Sequence, residues 1–145
     1  MKHLVIVGGL LAMFGADVAS AQSTAIRVFQ RPTGLGTVTL SKALMADGKP
    51  LPAGTYQVRL TTDDPKPGVG QSPGSERFVE FVRNGKVVGR EVATVIFEDD
   101  IKTVAKGARP GLNGSRVEML KGGDYWRVWI NRDGKNYIIN MPPAA

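Results

Sequence analysis

Apolar and polar residues alternate with a period of two along most of this chain, and long helical periodicity is almost absent. Residues 55–61 (TYQVRLT) alternate most cleanly. Tyr56, Val58 and Leu60 point one way, and Thr55, Gln57, Arg59 and Thr61 the other, which predicts a half-buried strand with a wet outer face. Strands are also predicted over residues 25–30 (AIRVFQ) and 37–44 (TVTLSKAL), the latter with Val38 and Leu40 on one face. Residues 77–92 (RFVEFVRNGKVVGREV) place Asn84-Gly85 between two β-rich runs. Both central residues of a type I′ turn need positive φ, which Asn-Gly meets at little cost, so a hairpin is expected there. Gly89 in the return strand signals a bulge or bend. The return strand continues through residues 92–97 (VATVIF), and residues 115–121, 125–131 and 136–141 form a closing meander. Gly122-Gly123-Asp124 and Asp133-Gly134 supply its turns. About eight short strands, with turn signals every ten or so residues, predict an all-β fold: a single antiparallel β-sandwich or small barrel.

One short helix is expected near residues 99–107, capped by Asp100, with Ile101, Val104 and Ala105 on one face and Gly107 ending it. It is too short to stand alone and must pack on the sheet. Residues 108–114 (ARPGLNG) read as a loop and the final PPAA as a frayed tail. Residues 62–75 hold Pro65, Pro67, Pro73, Gly68, Gly70 and Gly74 and predict a long flexible hairpin connection.

The first 21 residues stand apart from this grammar. Lys2 and His3 precede an apolar run from Leu4 to Phe14 and then the small-residue ending Ala19-Ser20-Ala21, the three-part layout of a secretory signal peptide cleaved near Ala21. The run is shorter than the ~20 residues that span a bilayer. Residues 22–145 are then expected as one soluble domain in the periplasm or outside the cell, with no transmembrane segment.

Net charge is +6, and Lys2 and Asp17 cancel, so the exported part keeps it. At this charge an exported protein would meet anionic envelope polymers or lipid head groups before nucleic acid, and no nucleic-acid partner is expected. Cysteine is absent, so the domain has no disulfide to lean on. The one histidine is His3, in the leader. Ser-His-Asp and Cys-His nucleophilic systems and imidazole or thiolate zinc sites are thereby excluded from the exported domain. No cofactor or metal site is expected.

The most suggestive chemistry lies in YWRVWIN. Trp126, Val128 and Ile130 share the core face; Tyr125, Arg127 and Trp129 share the other. Two aromatics flanking a cation on one strand face make a row that can stack sugar rings while the arginine pairs with an anion. Against this stands a self-satisfied face, with Arg127 lying over Trp129 and a loop covering the row. Glu80, Glu91 and Glu118 lie on predicted strands and read first as partners for strand arginines, although two carboxylates facing each other could serve a hydrolase. Asp63-Asp64 and Asp99-Asp100 lack the spacing of a calcium loop and suit a turn and a helix cap. GVGQSPG misses the spacing of a dinucleotide fingerprint. Asn113-Gly114-Ser115 fits a glycosylation acceptor, but a turn accounts for it.

In GKPLPAGTYQVRL, Asp47-Gly48 is a turn. Pro50 and Pro52 make the following residues an edge or connector, and a type I turn leads into the strand at Thr55. LPAGTYQV resembles the turn-and-strand of transthyretin-like (carboxypeptidase-regulatory-like) β-sandwich domains. It is also similar to small exported bacterial β-proteins of uncharacterised function that carry an LPAG-x-Y-x-V strand. The resemblance implies a sandwich or barrel and no catalytic residues, and the histidines of transthyretin-type sites are missing here. The expectation is an exported, non-catalytic binding or structural module. Its alternative is a carbohydrate- or envelope-polymer-binding module using Tyr125, Arg127 and Trp129. A protein partner docked by strand addition is a further possibility.

Overall fold

The computed structural model describes residues 32–145, so the expected signal peptide and the expected strand over residues 25–30 lie outside the described residues. In chain order the elements are β1 (Gly34–Leu40), β2 (Leu44–Ala46), β3 (Lys49–Leu51), β4 (Gly54–Leu60), β5 (Glu76–Arg83), β6 (Lys86–Phe97), α1 (Ile101–Val104), β7 (Ser115–Met119), β8 (Trp126–Arg132) and β9 (Lys135–Met141). Seven strands form one sheet in the order β1-β4-β5-β6-β9-β8-β7, and β2-β3 is a separate hairpin. The architecture is all-β, as the alternation predicts, and the large sheet curls into a nearly closed barrel. Every step in it is antiparallel. Six such steps leave β7 running parallel to β1, its neighbour across the seam. The Ser115 hydroxyl bridges that seam by donating to the Thr37 carbonyl at 2.7 Å.

One face of each strand fills the interior. Val38 and Leu40 of β1, Tyr56, Val58 and Leu60 of β4, Val79 and Phe81 of β5, and Val128 and Ile130 of β8 are all buried in one cluster. Burying such side chains is worth roughly 1.5–3 kcal/mol each. Asn84 and Gly85 have φ of 51° and 73°, the conformation of the expected turn. Asp47-Gly48 does the same between β2 and β3, with φ of 46° and 72°.

The β2-β3 hairpin packs against β6 and β9, with Leu44, Ala46 and Leu51 buried in the core. Gly89 admits it. The ladder between β5 and β6 slips at this point, where Phe81 pairs with Gly89 and Val82 with Val87, leaving Val88 as the extra residue of a bulge. A Cβ at position 89 would lie 3.2 Å from Leu51 and 3.3 Å from Ala46.

Three expectations are corrected. The final residues are not frayed: Met45 N–H donates to Pro142 O at 2.7 Å, and Ala144 N–H to Ala43 O at 3.1 Å. Asp100 does not cap α1 with its side chain; instead its carbonyl receives the Thr103 and Val104 N–H groups. Val104 is exposed although Ile101 is fully buried, because the chain is already extended at Ala105 and the helical period ends after one turn.

The connection between β4 and β5 is irregular, as expected, and the residues at both ends are anchored. Asp63 pairs with Arg90 at 2.5 Å and Asp64 with Arg77. Ser75 O accepts the Val95 N–H at 2.8 Å. Among the described residues no helix is long and apolar enough to cross a membrane.

Gly89 has no positive φ, so the constraint there is contact alone. Gly89→Val should lower stability by about 1–3 kcal/mol through overpacking, seen as a lower urea midpoint, whereas Leu51→Ala in the same contact should cost about 2–5 kcal/mol through the cavity it leaves.

Candidate functional site

The two outer faces of the barrel differ. On the β6-β9-β8 side, Ile96, Ile138 and Trp129 form an apolar patch on the outer surface, and α1 covers it with Ile101 and Ala105. Strand β8 is therefore buried on both faces. Trp129 Nε1–H donates to Asn136 Oδ1 at 2.8 Å, and Asn136 Nδ2 donates in turn to Glu98 Oε2 at 3.1 Å. Arg109 pairs with the other oxygen of Glu98. Arg127 lies over the Trp129 ring with its guanidinium carbon 4.8 Å from the centroid. It also pairs with Glu118 and donates to the Lys106 carbonyl at 2.8 Å.

These contacts decide where the expected aromatic row stands. Tyr125 precedes β8 and is about half exposed, but Arg127 is 8% and Trp129 1% exposed. An open, flat row is not formed. The segment from Glu98 to Arg109 crosses over it, and its groups are already partnered. Of the three carboxylates, Glu80 and Glu118 sit directly across the ladder from Arg59 and Arg127 and pair with them. Glu91 accepts backbone N–H groups instead, from Asp47 at 2.7 Å and from Val92 at 2.9 Å.

The β1-β4-β5 side carries no such cover among the described residues. Two depressions lie next to each other there, of about 400 and 540 Å³. They share Thr37, Gln57 and Val82, so together they form one groove that follows β4, with β1 and β5 as its sides. One end is lined by Gly34, Gly36, Arg59 and Arg132; the other by Thr55, Arg83 and Asn84. The groove is polar because Thr37, Thr55, Gln57 and Arg59 are the outward residues of strands whose inward residues fill the core. The four residue steps from Thr55 to Arg59 give it a length of about 13 Å. Its donors and acceptors are hydroxyl, amide and guanidinium groups, suited to holding a polar chain by hydrogen bonds rather than by stacking.

Gln57 and Arg59 are placed outward by alternation alone. Thr37, Val82 and Arg132 come from other strands, and no local pattern links them to β4. Arg132 is the residue that the sequence reading passed over. Its only local mark is its position one step before the Asp133-Gly134 turn.

The carboxylates that hold the cover are poised by their partners. The hydrogen bond from Asn136, then the hydrogen bond and charge of Arg109, hold Glu98 below the ordinary value of 4.5 against the opposing effect of desolvation. For Glu118, burial pushes the carboxyl up, but hydrogen bonding and charge from Arg127 and Arg116 more than offset it, and the net direction is down. A depressed folded-state pKa stabilises the fold above the unfolded value and loses that contribution as pH falls through the folded one. Lowering the pH below 4.5 should therefore reduce stability and shift Trp129 emission as the cover loosens. Glu98→Gln should flatten that pH dependence in a fluorescence-monitored urea series. An emission spectrum unchanged from neutral pH to well below 4.5 would contradict it. No family model, curated protein or solved structure matches the chain.

Proposed function

We propose that this chain is an exported, non-catalytic β-barrel module of the periplasm or extracellular space, and that its outer groove on β1, β4 and β5 binds a hydroxyl-rich chain such as an envelope glycan. The observation that carries this reading is the continuity of the two depressions through Thr37, Gln57 and Val82. A single path along β4, flanked by β1 and β5, suits an extended ligand better than a compact one. The groups along it are the kind that exchange hydrogen bonds with sugar hydroxyls at little net cost. The leader supports export, and the mature domain's lack of histidine and cysteine supports a binding role over nucleophilic catalysis.

A ligand at Tyr125, Arg127 and Trp129 would have to displace the Glu98–Arg109 segment and the partners of Arg127. The groove requires no such displacement, and so is preferred over the aromatic row.

Titration of the protein with a panel of oligosaccharides, followed by amide chemical shifts, should move resonances of Thr37, Gln57 and Val82 first. Gln57→Ala should weaken binding about two- to tenfold, the usual range for one neutral hydrogen bond, while Tyr125→Ala leaves it unchanged. The reverse pattern would transfer the site to the β8 face.

A further inference from the structure

We propose that the end of the groove at the β1 bulge is an anion subsite, which holds an acidic group, carboxylate or phosphate, carried by the bound chain. This rests on the groove being the ligand surface, and adds that the ligand is acidic.

The bulge prepares the floor. The register between β1 and β4 shifts between Gly34 and Gly36. Apart from the adjacent residues in the chain, no heavy atom of the described residues lies within 4 Å of the point where a Cβ would stand on either glycine, and both glycines line the depression. Gly36 has φ of +138°, a conformation that L side chains rarely adopt, so the bare surface is held by backbone geometry as well as by composition.

Two guanidinium groups line this floor. Arg59 stands opposite Gly34 in the ladder. Its Nε donates to Glu80 Oε2 at 2.9 Å, which orients the fork. Its two terminal nitrogens make no hydrogen bond among the described residues. Arg132 reaches the same depression from β8. Its Nε is screened from water and has no hydrogen-bond acceptor among the described residues. The Asp133 carboxylate is 3.9 Å away, beyond hydrogen-bonding distance, and is mostly exposed to solvent.

Because Arg132 Nε is closed off from solvent, an incoming oxyanion would meet the exposed ends of the two side chains, and charge-assisted hydrogen bonds to them are stronger than neutral ones. The planar forks of two arginines match the paired oxygens of a carboxylate or phosphate, where a lysine would present only a point charge. The threonine and glutamine groups farther along the groove then hold the neutral part of the chain. The net charge of +6 favours the approach of such a ligand at low salt.

The test uses calorimetric titration at fixed ionic strength. Ligands are a neutral oligosaccharide, an oligosaccharide of uronic acids of equal length, and a glycerol-phosphate oligomer. Proteins are the wild type, Arg132→Gln, and Lys66→Gln as an exposed control in the β4-β5 connection. At least one acidic oligomer should bind more tightly than the neutral one, and the two acidic arms show which acid is preferred. Arg132→Gln should weaken acidic binding roughly ten- to a hundredfold, the range for a charged hydrogen bond, and weaken neutral binding several-fold less than that. Equal affinity for neutral and acidic oligomers would overturn the anion subsite while leaving the groove reading intact. So would a loss in Lys66→Gln as large as that in Arg132→Gln, since that would be diffuse attraction. Failure of every oligomer to bind would remove both.

Discussion

The fold depends on filling a barrel with side chains alone. With no cysteine, no covalent link can hold the sheet curled, so the inward residues must do it by packing. The contact of Tyr56 with Phe81 is central to this. Their rings meet edge to face, 6.2 Å apart at 89°, joining β4 to β5 inside the barrel. The Tyr56 hydroxyl then reaches out of that core to donate to Pro52 O at 2.5 Å, which ties in the chain leaving the β2-β3 hairpin. That hairpin fits because Gly89 leaves room for Leu51 and Ala46. Parity limits the closure: seven antiparallel strands bring two parallel edges together, and a serine hydroxyl makes the bridge between them.

The two outer faces then divide the labour. The face with β6, β9 and β8 carries an apolar patch that water would penalise, so it is sealed by α1 and locked by ion pairs and buried amides. The face with β1, β4 and β5 carries threonine, glutamine and arginine, and its one buried outward apolar residue, Val82, lies between polar neighbours. Burial on the first face frees the second to stay open. The binding role proposed for the groove would draw on both: a rigid scaffold behind, and in front a surface whose polar groups are positioned but not all satisfied by one another.

Much of the scaffold was legible locally. Alternation in TYQVRLT sorted Tyr56 from Arg59, and Asn84-Gly85 marked its turn, because strand pleat and turn sterics act over two to four residues. The aromatic row was legible as a composition but not as a state. Whether Trp129 faces water depends on a segment some twenty to thirty residues earlier that folds back across it, and Arg127 is buried by the same crossing. The expected fraying of PPAA failed for a similar reason, since its backbone partners are Met45 of β2 and Ala43 just before it. The groove was half legible: Gln57 and Arg59 point outward by period alone, whereas Arg132 joins them only when β8 swings round to the far side of β1.

By itself the sequence determined the all-β class, the places of the turns, which residues of β1 and β4 turn inward, and the absence of cysteine and of any histidine after His3. Each of these follows from short-range sterics, side-chain polarity or simple composition. The tertiary structure alone decided that the sheet curls into a barrel, that one outer face is covered, and that arginines from β4 and β8 meet at a bulge in β1. Those are juxtapositions of residues far apart in the chain. They are settled by strand order and barrel curvature, which no local pattern of residues contains.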